Sequence, residues 1–407
     1  MKAWIPIAAA SLAAAILPAN ATAAKETVLY SFQGGAEGST DGANPRGGLI
    51  FDASGNLYGT TEFGGLLNEG TVFELAPAPG AWTETQIFNF TITCQGGNCQ
   101  RSTGTLPLAD LAFDANGNLY GAASSGGKYG NGTLFQLTPP TTGSAWTETI
   151  AHNFTGGSDG AIPLGGVLIV DRKGTLMGTV GGGSFQCGVV FELTPAVSGT
   201  GWTGSVLHAF SCTPDGGSPQ GDLIHDAAGN VYGTTLIGGT GNCFDGCGTV
   251  YMLSPPALPG GAWTETVLYS FLGSPDGIGP WAGLVRDAAG NLYGTTYRGG
   301  QYTSACYPVG CGTVFELSPP GASGGAWTET VIHNFTGGDL YGTASAGGDL
   351  NCNSGGWTET VLHAFTGAPD GDYPQFALAL KNDALYGTTV KGGSGPNGGG
   401  TVFEVVP

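Results

Sequence analysis

The chain has 407 residues, 77 of them Gly, and only 10% are charged, against about 25% in ordinary soluble domains, which argues against a conventional helical protein. The glycines come in irregular pairs and not at every third position, which excludes collagen, and 41% hydrophobic residues are enough to bury a core. A formal charge of -19 argues against nucleic acid and anionic membrane surfaces as partners.

In chain order, the first element is an apolar run from Ile5 to Pro18 behind Lys2, too short to span a bilayer, followed by the small-x-small pattern Ala21-Thr22-Ala23. Residues 1–23 therefore read as a signal peptide, and 24–407 as one mature domain, secreted or held at the cell surface. No later segment reaches the ~18 consecutive apolar residues of a membrane helix, so no membrane insertion is expected.

A lone strand, KETVLYSF (25–32), comes next. The first complete unit follows as four runs: GGLIFD (47–52, strand A), NLYGTT (56–61, B), GTVFEL (70–75, C) and WTETQIFNF (82–90, D). Each is β-branched or aromatic and bounded by turn residues. GNLYGTT (55–61) returns as GNVYGTT (229–235) and GNLYGTT (290–296), with looser echoes between. In each, Asp, Gly and Asn read as a tight turn and the remainder as a buried strand. Six A-B-C sets begin near Gly47, Leu108, Leu164, Gly221, Ala282 and Phe376, whereas the stretch at about 327–356 has lost strand A and the GTVFEL motif.

Tandem four-stranded units in an all-β chain predict a β-propeller, with six complete blades and one degenerate one. The opening D strand is expected to complete the last blade, closing the ring and covering two sheet edges. A hairpin inserted in a six-bladed ring is the rival reading of the degenerate stretch.

The order LYSF, DGxxPxGGL, DxxGNLYGTT, GTVFEL and WTETVL resembles the GloVer tandem-repeat proteins of bacterial surfaces, and LHAF at 207–210 and 362–365 is similar to the related HAF-type extracellular repeat. The resemblance covers nearly the whole mature chain. It implies an exported repeat protein and supplies no catalytic residues.

Because strands in a blade alternate in direction, the D-to-A and B-to-C loops share one face, and all nine cysteines fall there. Export permits disulfides, and the local spacings suggest Cys94 with Cys99, Cys243 with Cys247 and Cys306 with Cys311. Cys187 holds the same pre-Gly slot as Cys247 and Cys311 but has no upstream mate, so it is paired with Cys212 in the adjacent D-to-A loop, which leaves Cys352 as a free thiol. The same face carries Asp41, Asp159, Asp215, Asp276 and Asp370, each followed by Gly. These are candidate Ca²⁺ ligands or, on the simpler reading, turn residues, and no metal or cofactor is called for. His152, His208, His333 and His363 align with Tyr30, Phe88 and Tyr269 and read as aromatic packing in strand D.

Recognition is sought where a fixed slot varies in identity. The residue after the strand-A Pro is Arg46, Leu108, Leu164, Gln220, Trp281 or Gln375. Trp281, with Tyr297, Arg298, Tyr302 and Tyr307, predicts an aromatic and cationic cluster suited to a sugar ring or a peptide side chain; a Trp plugging the channel is the alternative. The resulting expectation is a monomeric, non-enzymatic binding or scaffold propeller for an extracellular glycan or protein. The alternative is a polysaccharide hydrolase or lyase whose polar groups converge at the channel mouth.

Overall fold

The computed structural model describes residues 24–34, 41–91, 93–95, 98–100, 103–143, 145–164, 169–170, 174–196, 201–258, 260–301, 310–321, 324–335, 362–363, 365–374, 377–395 and 397–406. Among them every regular element is a β-strand, and the principal sheets are six antiparallel blades of a propeller. Blade 1 runs A (Gly42–Phe51), B (Leu57–Gly64), C (Thr71–Ala78) and D (Ala81–Asn89). Blades 2 to 5 are built on B strands Leu119–Ser125, Leu176–Val180, Val231–Thr235 and Leu292–Thr296. Strand A of blade 1 starts earlier than its sequence suggests, because Gly42 to Arg46 already pair with Gly64 to Thr60 before a register shift.

Blade 6 takes strand B from Ala384–Gly392 and strand C from Thr401–Val406, and its strand D is the N-terminal Lys25–Ser31. Lys25 pairs with Val406 and Ser31 with Thr401. The ring is therefore latched by the N-terminal strand Lys25–Ser31, as expected.

The recurring GNLYGTT stretch has a physical role at almost every position. Asp52 accepts hydrogen bonds from the Asn56 N–H (2.8 Å), the Asn56 side-chain amide (3.0 Å) and the Tyr58 hydroxyl (3.4 Å), and Gly55 takes φ +94° to close the turn. Asp226 repeats this set with Asn230 and Tyr232, as Asp114 and Asp287 do with theirs. The next Leu or Val is buried. The Gly of YGTT leaves room for the strand-C aromatic: a Cβ on Gly59 would lie 2.6 Å from Phe73 Cζ, and one on Gly294 2.6 Å from Phe315 Cζ. The last Thr meets the first Thr of strand C hydroxyl to hydroxyl, at 2.7 Å for Thr61 and Thr71 and 2.9 Å for Thr296 and Thr313. Buried polar groups are thereby satisfied.

Blades join through aromatic contacts that are also repeated. The Phe ending strand D packs edge-on against the strand-C aromatic of the following blade: Phe90 on Phe135, Phe154 on Phe191, Phe210 on Tyr251 and Phe271 on Phe315. Phe32 on Phe73 is the same contact across the closure. Phe365 takes this position on Phe403 of blade 6, so the stretch ending at Phe365 makes the junction that a strand D makes elsewhere. The rest of the degenerate unit, at 336–361, lies outside the described residues, as do residues 1–23, where the signal peptide was expected, and Cys352.

Candidate ligand-binding face

The D-to-A and B-to-C loops are pinned by covalent and backbone links. Cys187 is bonded to Cys212 and Cys243 to Cys247, two of the expected pairings. The backbone places Cys94 opposite Cys99 in a small hairpin. Cys311 is disulfide-bonded, and its expected mate Cys306 lies outside the described residues. Such disulfides form in oxidising compartments, which fits a location outside the cytoplasm.

Hydrophobic residues are distributed unevenly between the two faces. Of the exposed large apolar side chains among the described residues, all but Val206, Leu258 and Val406 lie in or beside these loops. They include every exposed aromatic: Tyr129, Phe185, Phe244, Trp281 and Tyr297.

Trp281, Tyr297 and Arg298 form one cluster. Trp281 is 50% exposed and Tyr297 44%; their ring centroids are 5.8 Å apart in an edge-on arrangement, and the Arg298 guanidinium lies over the Tyr297 ring at 4.8 Å. The backbone fixes them, because the Tyr297 N–H donates to the Gly279 carbonyl at 2.9 Å and Ile278 pairs with Arg298. Half of the Trp281 surface is open to a ligand, so the side chain is not a buried plug. Arg46 forms a salt bridge with Glu62 at 2.7 Å, and Gln220 donates to the Ser218 hydroxyl at 2.9 Å. Gln375, Tyr302 and Tyr307 lie outside the described residues.

The five Asp-Gly carboxylates close turns. Asp276 accepts from the Leu272 N–H at 2.8 Å, the Gly277 N–H at 2.7 Å and the Tyr269 hydroxyl at 3.1 Å. Asp41 does the same with Gln33, Gly42 and Tyr30. At the other three, an imidazole replaces the phenol: His152 Nε2 is 3.1 Å from Asp159, His208 Nε2 3.0 Å from Asp215 and His363 Nε2 3.1 Å from Asp370. The strand-D histidines do stack edge-on against the Phe two residues on, yet three of them also hold a carboxylate, a partnership that the aromatic reading missed. It had a signal in the sequence, since Phe88, which has no polar tip, precedes a loop that lacks an Asp-Gly.

The Glu of WTET reaches the same junctions from the following blade. Burial pushes the carboxyls of Glu84, Glu265 and Glu329 up to about 7, helped by the negative charges of Asp41, Asp215 and Asp276 respectively, and burial alone takes Glu148 to about 8.

Nearer the axis, Asp110 and Asp222 occupy a strand-A slot that holds Gly at 48 and 283 and Ala at 377. The Gly48 N–H donates to Asp110, and a Cβ on Gly48 would come within 2.7 Å of Asp110 Oδ2 and 3.3 Å of the Ala377 Cβ, so blades 6, 1 and 2 meet here. Desolvation raises the Asp110 pKa against the lowering effect of that hydrogen bond. Neither Asp was singled out from the sequence, although a carboxylate in a Gly/Ala slot of a chain with so few charges is a legible exception.

Residues 15–183 and 167–356 match the family model described as the Gloeobacter/Verrucomicrobia repeat. No curated protein matches. Among solved structures, the chain is similar to a GH93 α-L-arabinofuranosidase of Fusarium graminearum at 13% identity and TM-score 0.47, covering 95% of this chain and 98% of that one. It is also similar to a Trypanosoma rangeli sialidase at 12% identity and TM-score 0.45, covering 95% of this chain and 59% of that one. At such identities the activities stay with those proteins.

Proposed function

From the premise that this chain belongs to the Gloeobacter/Verrucomicrobia repeat family, we propose that it is a secreted or cell-surface recognition propeller. In this reading it acts as a monomer and binds an extracellular glycan or protein through its D-to-A and B-to-C loop face. One observation carries the proposal: every exposed aromatic among the described residues lies on that face, where Trp281 and Arg298 both pack on Tyr297. An exposed indole and phenol beside a guanidinium offer a flat apolar surface for the C–H face of a sugar or for a side chain, with charge-assisted donors at its edge. Arg46 and Gln220, each bonded to a neighbour, hold the slot of Trp281 in two other blades and are proposed as secondary contacts.

Catalysis would require an acid and a base within reach of one bound atom. Asp110 is the group that favours this second reading, as a carboxyl with a raised pKa in a strand-A slot near the axis. The test is a glycan array on the mature chain and on Trp281→Ala, with product analysis of each bound polysaccharide. Binding that is lost in the variant, without cleavage, supports recognition. Cleavage abolished by Asp110→Asn supports the enzyme, and an array without any hit overturns the glycan form of the proposal.

A further inference from the structure

We propose that Glu26, His363 and Asp370 form a divalent transition-metal site, of the class that takes Zn²⁺, which ties the N-terminal strand to the body of the ring. One ligand atom from each of these residues lies within 4.8 Å of the other two. A cation at the centre of such a triangle could contact all three after small side-chain adjustments, because Zn–N and Zn–O bonds are about 2.0–2.2 Å. One imidazole and two carboxylates suit Zn²⁺ or Mn²⁺ better than Ca²⁺, which prefers an all-oxygen shell.

Two further observations bear on the site. Oε1 of Glu26 is inaccessible to solvent and has no hydrogen-bond partner, as holds for the equivalent Glu84, Glu148, Glu265 and Glu329; among the described residues only at the closure do an imidazole and a second carboxylate stand close enough to share a cation with such a group. An open cleft of about 570 Å³, lined by Glu26, Tyr30, Asp370 and Ser394 among others, gives an ion and its remaining waters access.

The other blade junctions explain why this one differs. At the Asp41 and Asp276 junctions the imidazole is replaced by the phenol of Tyr30 or Tyr269, and at the Asp159 junction the WTET Glu slot is Gly204. His208, Asp215 and Glu265 have the required residue types, yet among the described residues ligand atoms converge this closely only at the closure. The same position is where strand D is supplied by the chain's N-terminus, so a bound cation would link the latch to the ring through Glu26.

The experiment is calorimetric titration of the mature chain with ZnCl2, repeated on Glu26→Gln, His363→Gln and His208→Gln, with thermal melts of each protein with and without the metal. One Zn²⁺ per chain is expected, with a raised melting temperature at saturation, an affinity at least tenfold weaker in Glu26→Gln and His363→Gln, and no change in His208→Gln. Co²⁺ in place of Zn²⁺ should show a nitrogen and oxygen ligand spectrum; a thiolate charge-transfer band would assign the binding to a cysteine and overturn the proposal. So would absent binding, or equal affinity in all four proteins. Each variant is first checked for a native melt without metal, and should one of the two ligand variants fail to fold, the other decides.

Discussion

The A-to-B turns and the B-to-C loops close opposite ends of the same strands, and they are built on different rules. At the turns, Asp52, Asp114, Asp226 and Asp287 make the same bonds to an Asn and a Tyr in four blades. At the loops, one blade exposes Tyr129, another Phe185 with a disulfide to the next loop, and another Tyr297 beside Arg298. The turn must be made for each hairpin to form, so its chemistry is fixed. A loop that is already anchored by Gly and disulfide has side chains free to differ, and those differences are where recognition can reside.

The largest expected effect comes from the element that every blade depends on for closure. Deleting Lys25 to Phe32 removes strand D of blade 6 and the fully buried Phe32, whose truncation alone would cost about 3–5 kcal/mol. Exposed strand edges should then promote association. Calorimetry and size-exclusion chromatography are expected to show a lost or strongly lowered transition with aggregates, and a truncated monomer that melts like the full chain would break the latch model.

Smaller effects sharpen the contrast between fixed and variable positions. Gly294→Ala places a methyl 2.6 Å from Phe315 Cζ and 3.0 Å from Leu284 Cδ2, so overpacking should destabilise by about 1–3 kcal/mol. Gly321, with nothing within 4 Å of its would-be Cβ, is the matched control; its alanine variant should change stability by less than about 0.5 kcal/mol. Asp226→Ala strips the acceptors from the Asn230 amides and the Tyr232 hydroxyl. On a partly exposed turn this should cost about 1 kcal/mol in a denaturant titration.

These turns and strands were legible because their determinants are local: Asp52 and Tyr58 are six residues apart, and alternation of buried residues along strand C survives in every copy. The latch strand was legible from the order of strands at the two ends of the chain, and the Cys187–Cys212 bond from a slot left without its usual neighbour. The Glu84 carboxyl beside Asp41, by contrast, depends on how one blade leans on the next. No local pattern encodes that angle. The cluster of Glu26 with His363 and Asp370 lay further out of reach still, since it joins the two ends of the chain.

Junction carboxyls give the protein a pH dependence that their sequence positions alone do not suggest. Glu84, Glu148, Glu265 and Glu329 have pKa values raised from 4.5 to about 7 or 8, chiefly by burial. Between those limits the folded chain binds more protons than the unfolded one, so their contribution is fully present below pH 4.5 and is lost as pH rises through 7 to 8. Asp159, Asp226 and Asp370 are held below their ordinary 3.8 by hydrogen bonds that outweigh desolvation, and their contribution disappears below about pH 4. Melting temperature should therefore peak between these windows, near pH 5, and fall by several degrees at pH 8. Replacing Glu148, the most strongly shifted of the four, by Gln should flatten the alkaline side of that profile.

An effect on stability as small as that of the Gly321 control is expected at the position with the largest expected effect on binding. Trp281 is half exposed and meets Tyr297 only edge-on, so Trp281→Ala should shift stability by no more than about 0.5 kcal/mol, the usual range for surface substitutions. A tryptophan at the centre of a recognition surface can carry 2 kcal/mol or more of binding free energy, roughly a thirtyfold loss of affinity when it is truncated. Phe271→Ala is the counterpart from the repeated set: fully buried against Phe315, it should cost about 3–5 kcal/mol. If Trp281→Ala instead melts as low as Phe271→Ala, the indole supports the fold and the loop-face platform loses its anchor. If it leaves both stability and affinity unchanged, the ligand docks elsewhere on the face, and Phe185 and Phe244 become the next positions to truncate.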